Sequence, residues 1–134
     1  MGLSWADEQK KSDEVMDFLD TYRAGAEAGK AEYQYDLGAS YRWGIGAERN
    51  ITLAVQWIRK AAEQSYPLAE RVLADMYRNG EGLTASDEQA LWWYMRAARH
   101  GDPEARKAVA ILKDKVHLAK PPDPHLGHPG REGQ

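Results

Sequence analysis

Two stretches of this chain follow one pattern, and every matched pair of residues lies 36 positions apart. The first stretch reads Leu37-Gly38-x-x-Tyr41-x-x-Gly44-x-Gly46 and continues as Ala54-x-x-Trp57-x-x-x-Ala61-Ala62. The second reads Leu73-Ala74-x-x-Tyr77-x-x-Gly80-x-Gly82 and continues as Ala90-x-x-Trp93-x-x-x-Ala97-Ala98. Spacings of three and four residues are helical, and the paired glycines predict a turn at the same place in both copies. A repeat of this length predicts two consecutive helical hairpins that stack in series.

The repeat divides the chain into five predicted segments. In order these are an N-terminal capping helix region (1–28), a first repeat (29–64), a second repeat (65–100), a C-terminal capping half repeat (101–118) and a disordered tail (119–134). The ends of such an array need caps because a terminal unit must close one side of the stacked core. The tail is predicted to be disordered because its prolines and glycines sustain neither helix nor strand.

Local signals place the helix ends. Ser4 and Ser12 are alternative starts for the first helix, since each is followed by acidic residues. Asn50 and Ser86 are predicted to cap the second helix of each repeat, and Asp102 to cap the last helix. That last helix is expected to continue to residues 115–118. About six helices are predicted in total.

Composition excludes several classes of function. With 134 residues the chain can bury one core without disulfides, and it contains no cysteine for a thiolate metal site or nucleophile. A net charge of -3 without a clustered basic face argues against a nucleic-acid partner. The four histidines lack the paired spacing of a metal site, so neither a metal nor another cofactor is expected. No stretch has the length of a membrane span or an export signal, which predicts a cytoplasmic protein without a membrane partner.

These residues resemble the Sel1-like repeat family, whose members are relatives of tetratricopeptide repeats. The family pattern is roughly Gly-x-Ala-x-Ala-x-x-x-Leu-Gly-x-x-Tyr-x-x-Gly-x-Gly-Val, then Ala-x-x-Trp-x-x-x-Ala-Ala-x-x-Gly, and the resemblance covers about residues 26–112. The chain departs from the pattern where Tyr33 replaces a small residue and Ser65 replaces the closing glycine. The resemblance implies an all-α fold, a short right-handed α-solenoid of antiparallel helix pairs. It also implies a protein-interaction scaffold whose inner face is lined by the first helix of each hairpin.

The inner face supplies most of the candidate binding residues. Leu37, Tyr41 and Trp57, with their copies, are expected to fill the core, which leaves a neighbouring stripe at helical spacing exposed. Tyrosine, tryptophan and arginine on such a stripe are the side chains that most often supply binding energy at protein interfaces. The candidate partner-binding residues of the stripe are Tyr35, Arg42, Trp43, Arg71, Asp75, Arg78 and Lys107.

Two of these arginines occupy the same slot of successive repeats. Arg42 and Arg78 could therefore form a short ladder that binds a carboxylate-bearing peptide or an acidic protein surface. The alternative is that both are solvated or pair with Asp36 and Asp75.

Trp92 is an eighth candidate for partner binding, and its copy in the first repeat is the polar Gln56. It either projects from the outer face as a second contact patch or packs under the C-terminal helix or tail.

Three functions are compatible with this pattern. The first is an adaptor that binds one protein partner, and the second is a stoichiometric inhibitor of the immunity type that blocks a toxin or an enzyme. The third is an enzyme of the β-lactam-hydrolysing Sel1-like type. The resemblance disfavours the third, because those relatives depend on a disulfide in each repeat. The sequence does not indicate an oligomeric state.

Overall fold

A computed structural model of the chain describes residues 4–116, without the side chains of residues 7–17. Within this range the chain forms six α-helices and no β-strand. In order they are α1 (Trp5–Glu27), α2 (Ala31–Trp43), α3 (Ile51–Glu63), α4 (Pro67–Asn79), α5 (Asp87–Arg99) and α6 (Pro103–Leu112). Each helix packs mainly against its neighbours in the sequence, so the hairpins α2–α3 and α4–α5 stack in series between α1 and α6. The predicted all-α solenoid is confirmed.

The second helix of each hairpin begins at its predicted cap. The Asn50 side-chain oxygen accepts a hydrogen bond from the backbone N–H of Leu53 at 3.1 Å, and the Ser86 hydroxyl accepts one from Gln89 at 3.1 Å. The Asp102 carboxylate caps α6 in the same way. These three predicted N-caps are therefore confirmed, and each satisfies an N–H that the helix itself leaves without a partner.

Both hairpins turn at glycines in the left-handed conformation. Gly44 and Gly80 each have a φ of 68° and follow the last residue of the first helix. After each turn, the backbone N–H of the N-cap residue donates to the backbone carbonyl of the repeat's tyrosine. In the first repeat Asn50 donates to Tyr41 at 2.9 Å. Ser86 does the same in the second repeat, also at 2.9 Å. The turns predicted from the paired glycines are confirmed, since a left-handed residue at this position favours glycine.

The outer boundaries differ in part from the predictions. α1 begins directly after Ser4 and runs past Ser12 without a break, so Ser4 is the start. α6 ends at Leu112, because the N–H groups of Lys115 and Val116 both donate to the Leu112 carbonyl and close a turn. The prediction that this helix reaches residues 115–118 was wrong. The predicted disordered tail lies outside the described residues. No helix in the described range is both long and apolar enough to cross a membrane.

The two matched tryptophans are not equally buried. Trp93 is 1% exposed and belongs to a large cluster that joins α3 to α6. Trp57 is only partly buried and packs against a smaller cluster around Leu37, which joins α1 to the first repeat. The Lys60 ammonium lies 4.9 Å from the Trp57 ring centroid. The expectation of two equivalent core tryptophans is corrected for Trp57, because the second repeat is packed on both sides by a larger core.

At the contact between α1 and α2, a glycine faces a tyrosine. A Cβ atom on Gly25 of α1 would lie 2.4 Å from the Cγ and Cδ2 atoms of Tyr33 on α2, so only glycine fits opposite this tyrosine. The positions one repeat later hold Ala61 and Ala69, which are both fully buried. The bulky Tyr33, where the family pattern has a small residue, is therefore accommodated by the loss of a side chain on the facing helix.

Candidate functional site

The candidate residues lie along the helices that the repeat predicts. Seven of the eight occupy α2, α4 and α6, and Trp92 occupies α5. Most of the seven make contacts within the chain. Tyr35, for example, packs edge-on against Tyr66 with ring centroids 5.5 Å apart. The surfaces that a partner can reach are therefore narrower than the predicted stripe.

Arg42 and Glu81 form a two-point ion pair between the repeats. Nε and Nη2 of Arg42 donate to Oε2 and Oε1 of Glu81 at 2.8 and 2.9 Å. The side chains are only 12% and 22% exposed. Because Glu81 lies between the turn glycines of the second repeat, the pair ties α2 to the next hairpin. Arg42 thus pairs within the chain, as one alternative held, but its hydrogen-bonded partner is Glu81 rather than Asp36 or Asp75.

This ion pair makes stability depend on pH in one direction. Hydrogen bonds from Arg42 lower the pKa of Glu81, and the same hydrogen bonds raise the pKa of Arg42. A carboxylate whose pKa falls on folding stabilises the fold when it is ionised. Its contribution is therefore complete above the ordinary glutamate pKa and is lost as the pH falls through the lowered value.

We expect Glu81→Gln to destabilise the chain at pH 7 by about 1–2 kcal/mol, because it weakens a charge-assisted pair that is largely shielded from water. Urea unfolding at several pH values measures this difference. The gap between wild type and variant should narrow as the pH falls through the lowered pKa of Glu81, because a protonated glutamate is uncharged like the glutamine that replaces it. Glu48→Gln, at an exposed glutamate of the first turn, is the control and should show no such gap. Parallel curves for wild type and Glu81→Gln at all pH values would contradict this role of the pair.

Asp75 joins the two helices of the second hairpin. Its carboxylate accepts a hydrogen bond from the hydroxyl of Tyr94, which is almost completely buried. Burial raises the pKa of Tyr94 well above its ordinary range, and the Asp75 carboxylate raises it further. Arg78 acts on the same hydroxyl in the opposite direction, while its own side chain is exposed. Asp75 is thus engaged within the hairpin, whereas Arg78 remains at the surface.

Arg71 links the second repeat to α6. Its Nε lies 2.9 Å from Oδ2 of Asp102, the residue that also caps α6. Lys107 contacts Glu104 at 3.4 Å on the exposed side of α6. An exposed pair of this kind contributes little to stability, so Lys107 is available to a partner at small cost.

The end of α2 carries an exposed apolar corner, which consists of Trp43 and Ile45. These residues are 62% and 56% exposed. The Arg42 guanidinium lies 4.6 Å from the Trp43 ring centroid, and Glu81 holds that guanidinium in place. The same positions of the second repeat are Asn79 and Glu81, so the fold does not require apolar side chains here.

Comparison with known proteins agrees with this geometry. The model of the Sel1 repeat family matches residues 31–66 and 67–102, which are more than half of the chain. The chain belongs to the Sel1 repeat family. Sel1 repeats generally act as non-catalytic modules for protein–protein interaction.

Two curated relatives and one solved structure illustrate the likeness. An uncharacterized protein of Neisseria meningitidis is 38% identical over 100 residues, which are 74% of this chain and 20% of that protein. Chitin synthase regulatory factor 3 of Schizosaccharomyces pombe is 33% identical over 113 residues, 82% of this chain and 12% of that protein. The crystal structure of a Sel1 repeat protein from Oxalobacter formigenes is 39% identical with a TM-score of 0.70, over 72% of this chain and 40% of that one. The chain thus spans a fifth or less of these two curated relatives.

In this Sel1 repeat chain, Trp92 is partly buried on α5. Its ring meets the Trp93 ring edge-on at 4.9 Å, and the Arg96 guanidinium lies 5.0 Å from its centroid. Trp92 also lines a surface depression together with Val109 of α6. The position agrees with packing next to the C-terminal helix, while part of the ring faces the depression. A role for Trp92 in binding remains a prediction.

No metal centre is formed by the part of the chain that the structure describes, where no three histidine, aspartate or glutamate side chains are grouped to hold an ion. His100 instead contacts the buried carboxylate of Glu70, with Nδ1 2.7 Å from Oε1. The other three histidines lie outside the described residues.

The sequence reasoning missed several residues that matter in the Sel1 repeat surfaces. Ile45 completes the apolar corner, and Glu81 forms the ion pair with Arg42. Met95 and Arg99 line the depression beside Trp92. A comparison of the two copies for differences, rather than identities, would have found all four. Positions that the fold requires recur in both repeats, so an exposed residue that changes between copies is a candidate for function.

Proposed function

We propose that this chain is a non-catalytic adaptor module that binds one protein partner through the face formed by α2, α4 and α6. The observation that carries the proposal is the exposed Trp43, which is stacked against an arginine that Glu81 holds in place. A large aromatic side chain that is already ordered loses little conformational entropy on binding, and such side chains dominate the energy of many interfaces.

The remaining accessible residues of this face give the proposed partner surface its polarity. Arg78 and Lys107 are exposed cations, and Ile45 and Ile111 are exposed apolar side chains that are 56% and 61% accessible. A partner surface that combines apolar and acidic side chains would complement them. Tyr35, Arg42, Arg71 and Asp75 contribute by shaping the face, because their own contacts lie within the chain.

The choice of adaptor over inhibitor is supported by the relatives. One relative is named as a regulatory factor of chitin synthase, and this chain matches only 12% of its length. A short stretch of a larger regulator is suited to bring proteins together, whereas an inhibitor of the immunity type acts by occupying its target. We therefore propose an adaptor, and inhibition is an outcome that the experiment below would reveal.

The test is a quantitative binding measurement with the partner captured from the source cells by the full chain. The purified partner is titrated against wild type, Trp43→Ala and the matched control Asn79→Ala at the equivalent position of the second repeat. We expect Trp43→Ala to weaken the dissociation constant about tenfold or more and Asn79→Ala to change it less than twofold. Both variants should melt within about 2 °C of wild type, because the two side chains are exposed.

Two outcomes would contradict the proposal. Equal affinities of Trp43→Ala and wild type would move the binding site away from the apolar corner. A stoichiometric loss of the partner's own enzymatic or toxic activity in the complex would replace the adaptor by an inhibitor. An unchanged partner activity in the complex supports the adaptor.

A further inference from the structure

A two-part depression lies on the side of the array formed by the end of α5. The larger part has a volume of about 510 Å³ and is lined by the cationic Arg96 and Arg99 and by His100, Ser65 and Trp92. The smaller part, about 260 Å³, shares Trp92 and Arg99 and adds the apolar side chains of Met95 and Val109. Met95 is 44% exposed, so an apolar side chain of the smaller part is accessible to a ligand.

The floor of the depression is held rigidly. Arg96 Nε lies 3.0 Å from Oε2 of Glu70, and its Nη2 donates to the Ser65 hydroxyl at 3.0 Å. Glu70 is completely buried, and its other oxygen contacts His100. The negative charge of Glu70 is therefore already balanced by Arg96 and is shielded from the depression. Among the side chains that the structure describes, none forms an ion pair with Arg99, so its positive charge at the rim is available to a ligand.

The first repeat lacks this surface. Gln56 stands in the place of Trp92, and Glu63 in the place of Arg99. Arg59 stands in the place of Met95, but it is 3% exposed and donates to the hydroxyl of Tyr77. The same three helix positions thus change from glutamine, arginine and glutamate to tryptophan, methionine and arginine. The repeat fold does not demand these side chains, because the first copy folds without them.

Ser65 carries a backbone strain that the fold does not require. Its φ is 64°, and it is the only residue other than glycine with a positive φ among those described. The equivalent positions are Gly29 and Gly101, with φ of 88° and 97°. A serine here costs stability relative to glycine, yet its hydroxyl fixes Arg96 within the depression. Strain retained at a surface site of this kind is typical of a binding function.

We propose that this depression binds a segment of a partner protein in which an acidic side chain lies next to an apolar side chain. The carboxylate would pair with Arg99 in the cationic part, and the apolar side chain would pack between Trp92 and Met95 in the smaller part. Charge complementarity selects the acid, and the shared wall of Trp92 and Arg99 requires the two groups to be adjacent. The proposal rests on the proposed function in one respect, that the chain binds proteins, but it assigns a second surface.

The experiment is a selection of random dodecapeptides displayed on phage against the full chain. We expect enriched peptides to contain aspartate or glutamate within two residues of leucine, isoleucine, phenylalanine or methionine. An enriched peptide is then synthesised with blocked ends, and its affinity is measured by fluorescence polarisation. Replacement of its acid by the corresponding amide should weaken binding about tenfold, as expected for the loss of one charge-assisted pair.

Variants of the protein locate the site. Arg99→Gln and Trp92→Ala should each weaken peptide binding about tenfold, and Arg99→Glu should weaken peptide binding further. Glu63→Gln and Gln56→Ala, the matched controls at the equivalent positions of the first repeat, should change the affinity less than twofold. Ser65→Gly should weaken peptide binding, because it removes the hydroxyl that fixes Arg96. It should also raise the melting temperature, because it removes the backbone strain. A merely structural Ser65 would not show these opposite effects.

Several results would overturn the proposal. Failure to enrich any peptide would do so, as would enriched peptides without an acid or peptides that bind only through a free C-terminal carboxylate. An Arg99→Gln variant that melts earlier but binds equally would assign Arg99 to the end of α5 alone. Peptides that lose affinity for the Trp43→Ala variant but keep it for the Trp92→Ala variant would overturn this site and would support the proposed function. Conversely, equal partner affinity for Trp43→Ala and wild type would leave the peptide results for Trp92 and Arg99 unaffected.

Discussion

Trp93→Ala should lower the free energy of unfolding by about 3–5 kcal/mol, because it removes the largest fully buried side chain among the described residues. The side chain is 1% exposed and belongs to the cluster that joins α3 to α6, so its removal leaves a cavity that both hairpin helices border. The indole Nε1 has no hydrogen-bond acceptor within the described residues, so the loss is one of packing rather than of hydrogen bonding. Urea denaturation followed by circular dichroism measures it.

Trp57→Ala is the matched control, because it is the same substitution at the equivalent position of the first repeat. We expect it to cost only roughly 1–2 kcal/mol, since Trp57 keeps contact with water and packs against a smaller cluster. Trp93→Phe should cost much less free energy of unfolding than Trp93→Ala, because phenylalanine keeps most of the buried volume. Equal losses for Trp57→Ala and Trp93→Ala would show that the burial difference described above has no energetic consequence.

The fold could be predicted because a repeat imposes its requirements twice. The turn glycines Gly44 and Gly80 recur because each ends a helix in the left-handed conformation. The caps Asn50 and Ser86 differ in type but share a side-chain oxygen at the same offset, which is all that the helix start needs. Local chemistry and the long-range pattern agree, so six helices and their order follow from the residues alone.

The contacts of the candidate site could not be predicted in the same way. Glu81 pairs with Arg42 across 39 residues, and the equivalent position of the first turn is Ile45, so no repeated signal marks the pair. Nor does the pattern say how deeply a residue is buried, since burial depends on what covers each end of the array. Trp57 and Trp93 occupy the same position of the repeat pattern, yet only Trp93 lies in the larger core that extends to α6.

One departure from the repeat could be recognised in the sequence, but its meaning required the structure. Tyr33 stands where the family pattern has a small residue, and nothing in the pattern shows how the neighbouring helix responds. The response is Gly25, one helix earlier, whose missing side chain makes room for the tyrosine ring. The pair of Gly25 and Tyr33 corresponds to Ala61 and Ala69 one repeat later, so the large side chain on α2 is matched by the absence of one on α1.

Gly25→Ala should therefore destabilise the chain by about 1–3 kcal/mol, although the same substitution in an ordinary helix interior stabilises by about 1 kcal/mol. The new Cβ would lie 2.4 Å from the Tyr33 ring and 2.8 Å from the Tyr33 Cβ, and the Cβ cannot swing away without moving α2. Thermal and urea unfolding of the variant measure the sign directly. A variant more stable than wild type would contradict the close contact between α1 and α2.

A double-mutant cycle with Tyr33→Ala separates the contact between Gly25 and Tyr33 from any general effect of Gly25→Ala on α1. Tyr33→Ala removes the ring and should by itself cost stability, since the side chain packs against the cluster that joins α1 to the first repeat. On that background Gly25→Ala should reverse its sign and stabilise, because the pair then reproduces the two alanines that meet one repeat later. A destabilising Gly25→Ala in both backgrounds would place the clash elsewhere in α1. A reversal would show that the Tyr33 ring fits between α1 and α2 because Gly25 has no side chain.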